Sequence, residues 1–179
     1  MSRMKRLFAD MHCDTITTLY DRVQKGSKET LRSNSIQIDF EKLAESKYLM
    51  QNFAVFLDKG IWTENLFKET MLRIDFFKKQ MVQNTDVIRQ VTTVGEILQN
   101  EKENRISALL TLEGGECLEG KLDNLTAFHE EGVWMITLTW NYDNEMEFLV
   151  RCTGLSGDFR IIRYRLEKDN IMARVNEAI

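Results

Sequence analysis

Four short apolar runs recur along the chain: Leu7–Met11, Asn52–Leu57, Ile106–Leu112 and Val133–Thr139. Each holds β-branched or aromatic residues and reads as a buried strand. Helical spacing fills the gaps between them. From Glu64 to about Val82, Leu66, Phe67, Met71, Ile74, Phe77 and Met81 fall on one face, with Lys, Arg and Glu opposite. Thr63-Glu64 reads as the start of that helix. Shorter helices are predicted at Val94–Asn100 and Leu122–Glu131, the latter stopped by Gly132. The connection Ser33–Tyr48 reads as a loop entering a short helix at Asp39–Ala44. Strands alternating with helices, and apolar on both faces, predict an α/β chain with a parallel sheet and crossover helices. That leaves a doubly wound sheet or part of a β/α barrel. No Gly-x-Gly-x-x-Gly or Walker-type loop is present, so the nucleotide-binding reason for the first is missing.

Composition narrows the function. The 179 residues are 43% hydrophobic and 29% charged, with a formal net charge of -4. This suits one soluble globular unit and gives no support to a nucleic-acid partner. No run approaches the ~18 apolar residues of a membrane span, and the basic start Met1–Arg6 is followed by too short an apolar stretch for a signal peptide. Cys13, Cys117 and Cys152 are odd in number and widely spaced, which favours a reducing, cytoplasmic setting. Proline is absent, and nothing in the sequence accounts for it.

Ligands of parallel α/β folds gather at the carboxyl ends of strands, and here three strand ends are polar. The first ends Asp10-Met-His12-Cys-Asp14, the third Leu112-Glu113-Gly-Gly115, and the fourth Thr139-Trp-Asn-Tyr-Asp143. Residues two apart on a strand share a face, so His12 and Asp14 are candidates to hold one metal ion, with Glu113 reaching in from the third strand. The glycines after Glu113 permit a sharp turn and leave room for a second ion or a substrate. Each motif alone is an ordinary strand end; on two strands of one sheet they point to a hydrolytic metal site. His129 falls on the polar side of a helix and reads as solvated. Cys13 points away from the proposed ligands, and Cys117 has no base beside it, so both read as packing residues.

Three segments carry a more specific signal: Asp10-Met-His-Cys-Asp-Thr15, Leu109-Leu-Thr-Leu-Glu-Gly-Gly115, and Gly132-Val-Trp-Met-Ile-Thr-Leu-Thr-Trp-Asn-Tyr-Asp-Asn144. In order and spacing they resemble the membrane dipeptidase (renal dipeptidase) family over about residues 5–148. The resemblance implies a partial β/α barrel of the metal-dependent hydrolase type and a zinc metallopeptidase that hydrolyses dipeptides with a metal-activated water. It implies that His12 and Asp14 bind the first of two zinc ions, that Glu113 bridges both and carries the catalytic role, and that Asp10 supports the ligands at most.

Trp140 stands where some members have a histidine. Family members also continue to a full barrel, supplying two further histidines, an arginine and an aspartate that find no match here. Residues 1–150 are therefore expected to be the front half of such a barrel, and 151–179 a divergent tail, with an amphipathic helix over Ile161–Ala178. The expectation is a truncated or frame-altered dipeptidase holding no more than one zinc. The alternative is a non-enzymatic half-barrel that binds metal weakly or assembles only with other chains. Self-association is expected through two open sheet edges, the outer sides of Leu7–Met11 and Val133–Thr139.

Overall fold

The computed structural model describes residues 8–138 and the backbone of one strand at 163–165. In chain order the elements are β1 (Phe8–Asp10), α1 (Thr15–Gln24), α2 (Phe40–Glu45), β2 (Tyr48–Phe56), α3 (Leu66–Gln83), β3 (Ile88–Gln90), α4 (Val94–Lys102), β4 (Ile106–Glu113), a 3-10 turn (Glu116–Leu118), α5 (Leu122–Glu130), β5 (Val133–Thr137) and β6 (Arg163–Arg165). The strands run in the order β1-β2-β4-β5-β6, and β3 also pairs with β4. β1 is parallel to β2, with Asp10 opposite Gln51 and a register shift between Phe8 and Ala9. β3 is parallel to β4, with Ile88 opposite Ile106. This is the expected α/β sheet of parallel strands with crossover helices.

The chain divides into two compact units, residues 1–55 with 72–110, and residues 56–71 with 111–179. In the first, Phe53 of β2 lies between Phe40 (6.2 Å between ring centroids) and Phe77 (5.7 Å). Ile16, Leu19, Leu31, Ile74, Ile88 and Ile106 are also fully buried. Arg73 is buried on the same side of α3. Its Nη2 donates to Asp21 Oδ1 at 2.6 Å, and its guanidinium lies 4.7 Å from the centre of the Tyr20 ring, so this charge is not left uncompensated in the core. In the second unit, Phe128 of α5 packs on Phe67 at 5.1 Å, and Leu112, Leu118, Val133 and Ile136 are buried.

Several expectations change. His12 and Asp14 are not on a strand: β1 stops at Asp10, and both lie in the link to α1. The long helix begins at Leu66, later than Thr63-Glu64, because Asn65 holds a left-handed φ of 58° that a helix cannot include. α1 and β3 are elements that the apolar pattern did not assign. The outer side of β5 is not an open edge. β6 pairs with it antiparallel, Met135 opposite Arg165 and Thr137 opposite Arg163, which satisfies backbone groups that a free edge leaves unpaired. Arg163–Arg165 is thus extended where a tail helix was expected. The remainder of Ile161–Ala178 lies outside the described residues, as do Leu7, Trp140 and the strand end Thr139–Asp143.

Candidate metal centre

The link from β1 to α1 is short and heavily bonded. The His12 backbone N–H donates to Asp10 Oδ1 at 3.1 Å, and the Ala54 N–H of β2 donates to the Cys13 carbonyl at 2.9 Å. Cys13 turns into the core, as the sequence predicts. Burial pushes its thiol up to about 12, so it stays protonated and unreactive. Its two neighbours turn outward. The side chains of His12 and Asp14 are 50% and 59% exposed, with His12 Nε2 at 3.2 Å from Asp14 Oδ1.

Asp14 occupies the residue position that caps α1, yet its side chain makes no capping hydrogen bond. An aspartate there ordinarily accepts a backbone N–H of the first turn and contributes ~1 kcal/mol. Here the carboxylate faces the imidazole instead. Two ligands held at ~2.0–2.1 Å by a tetrahedral zinc stand about 3.3 Å apart. The separation of His12 and Asp14 therefore matches that of two ligands on one ion, and imidazole with carboxylate is a donor set that suits zinc.

In the second unit Glu113 is the last residue of β4, and it is half-buried. Beyond it the chain turns at Gly114, whose φ of 95° is open to glycine at little cost. The N–H groups of Gly114 and Gly115 donate to the carbonyls of Thr137 and Leu138 at 2.9 and 3.0 Å, which ties the end of β4 to the end of β5. A side chain at Gly114 would collide with the buried Glu116 carboxylate. Gly115, at φ −84°, needs no such freedom. Cys117 is buried in the 3-10 turn and donates to the Gly114 carbonyl at 3.5 Å. Burial, with the Glu116 charge next, pushes its thiol up to about 12.

His12 and Asp14 are thus brought together within one unit, and Glu113 ends β4 in the other. His129 is a half-buried residue in the last turn of α5. One residue of the site region was passed over in the sequence. Asn52 reads only as the start of an apolar strand, but its side-chain amide donates to the Met11 carbonyl at 2.7 Å, next to His12. A polar residue inside an otherwise buried strand was the available signal.

The sequence matches the family model of membrane dipeptidases (peptidase family M19) over residues 3–147. No curated protein matches the chain. Solved structures do. A dipeptidase described as a family M19 metallopeptidase matches with a TM-score of 0.66 at 15% identity, over 76% of this chain and 44% of its own. A metallopeptidase from Rhodobacter sphaeroides, liganded with a phosphinate mimic of the dipeptide L-Ala-D-Ala, matches with a TM-score of 0.66 at 12% identity, over 84% and 57%. An amidohydrolase from Pseudomonas aeruginosa matches with a TM-score of 0.53 at 19% identity, over 59% and 31%. At these identities the likeness is one of fold. The chain spans less than two thirds of each of these structures.

Proposed function

Since the chain belongs to the membrane dipeptidase family, peptidase family M19, we propose that it carries the first metal site of a zinc-dependent dipeptidase, with His12, Asp14 and Glu113 as the ligands. The observation that carries this reading is the 3.2 Å approach of His12 Nε2 to Asp14 Oδ1 by two half-exposed side chains. Glu113, the carboxylate that ends β4, is the third donor in this reading; imidazole with two carboxylates is a donor set with the chemistry to hold such an ion. Three such ligands are the usual protein share of a catalytic zinc, with one position left open. When bound, the ion would supply Lewis-acid polarisation and a nucleophile at neutral pH.

The chain's own residues have narrower tasks. Asp10 fixes the His12 backbone through the N–H that it accepts. Glu113 would hold the ion through a carboxylate carried on a strand end anchored on β5, and would serve a second ion as well. The substrate class is a dipeptide, reached from the exposed side of His12 and Asp14. The setting is a reducing, cytoplasmic one, in which Cys13 and Cys117 remain free thiols.

Hydrolysis of L-Ala-D-Ala with added zinc tests this, comparing wild type with Glu113→Gln. The expected rate of this chain alone is low. The second ion of a two-metal site is worth several kcal/mol of transition-state stabilisation, at ~1.4 kcal/mol per tenfold. The low rate should depend on zinc and vanish in Glu113→Gln. A rate indifferent to Glu113 would overturn the assignment.

A further inference from the structure

β2 holds the backbone just before and just after His12, at the Met11 and Cys13 carbonyls, and one of the two holds comes from a side chain. Asn52 Nδ2 donates to the Met11 carbonyl at 2.7 Å, while the Ala54 N–H donates to the Cys13 carbonyl at 2.9 Å. With Asp10 Oδ1 accepting the His12 N–H, three hydrogen bonds fix the backbone from which the imidazole projects. Asn52 is only 3% exposed. A carbonyl accepts and never donates, so the contact with Met11 dictates which end of the amide faces it. The other end, Oδ1, is buried with no hydrogen-bond partner. A buried amide with an orphaned acceptor is a poor choice for stability, because an apolar side chain of similar size would avoid the desolvation cost. Strand β2 is otherwise apolar from Phe53 onward and offers no local reason for an asparagine at this place.

We propose that Asn52 is a positioning residue for metal binding: it holds the Met11–His12 peptide so that His12 meets the ion beside Asp14. The inference rests on the metal site proposed above. Groups that orient metal ligands from outside the coordination sphere commonly change affinity by ~10–100-fold when removed. Asn52 acts through a backbone carbonyl, so the lower end is expected.

The test uses Asn52→Leu and Asn52→Asp in the full chain. Leucine removes the donor and also the orphaned oxygen; aspartate keeps the shape and loses the donor. Zinc affinity is read by calorimetric titration, and stability by thermal melting of the metal-free chains. Expected is about tenfold weaker zinc binding in both variants, with the metal-free Asn52→Leu melting no lower than wild type. A merely structural asparagine predicts the reverse, a lower melting temperature and unchanged affinity in the variant that still folds. That result would overturn the proposal. If wild type itself bound no zinc, the metal site would fail first, and a loss confined to Asn52 could not be mistaken for it.

Discussion

Gly114 and Gly26 hold almost the same backbone, φ 95° and 94°, in very different surroundings. A Cβ at Gly26 meets nothing within 4 Å, whereas at Gly114 it runs into the Glu116 carboxylate. Left-handed backbone costs an ordinary residue ~1–2 kcal/mol. Gly26→Ala should therefore lose about that much, as measured by urea denaturation. Gly114→Ala should lose more and also weaken zinc binding, because Glu116 must move in the turn that follows Glu113. Equal losses in stability would show that Glu116 yields freely. At this scale much of the candidate site was legible. His12, Asp14 and Glu113 stand out because histidine is scarce and carboxylates at strand ends are chemically conspicuous. The route by which His12 and Asp14 meet was not legible. Strand alternation suggested a shared face, but a turn and a forgone helix cap bring them together. Asn52 stayed hidden because a polar residue at the margin of an apolar run reads as its boundary.

Helix α4 shows how an element is set by its first turn. Thr93 Oγ1 accepts the Glu96 N–H at 3.2 Å, and the Glu96 carboxylate accepts the N–H groups of Thr92 and Thr93 at 2.7 and 2.9 Å. This reciprocal capping box satisfies donors that the helix cannot. The Thr92 N–H, outweighing partial burial, holds the Glu96 carboxyl below its ordinary value. Its contribution is therefore present above the unfolded-state pKa of a glutamate and fades as the pH falls through the lower, folded value. Thr93→Ala should cost ~1 kcal/mol at neutral pH, read from denaturant midpoints, and leave zinc affinity unchanged. Loss of zinc binding in that variant would mean that the two regions are coupled.

Helices α3, α4 and α5 were readable from apolar spacing, and β2, β4 and β5 from their apolar runs. β3 was not, because Ile88-Arg-Gln90 is three residues long and two of them are polar. α1 begins Thr-Ile-Thr-Thr, a β-branched stretch of low helix propensity, and packing of Ile16 and Leu19 overrides it.

At the scale of the molecule, the metal site proposed from His12, Asp14 and Glu113 draws on residues far apart in sequence, so on that proposal zinc binding and folding would be linked. Among the described residues no helix is long and apolar enough to cross a membrane. The chain belongs to the membrane dipeptidase family over residues 3–147, and His12, Asp14 and Glu113 are the ligands proposed above. Only one further histidine, His129, occurs anywhere in the sequence. The account therefore predicts a single ion held by His12, Asp14 and Glu113, and it is tested most directly by metal analysis after exhaustive dialysis against trace zinc. Wild type should retain no more than one zinc per chain, and His12→Ala should retain none. Two tightly held ions in wild type, or zinc undiminished in His12→Ala, would contradict it.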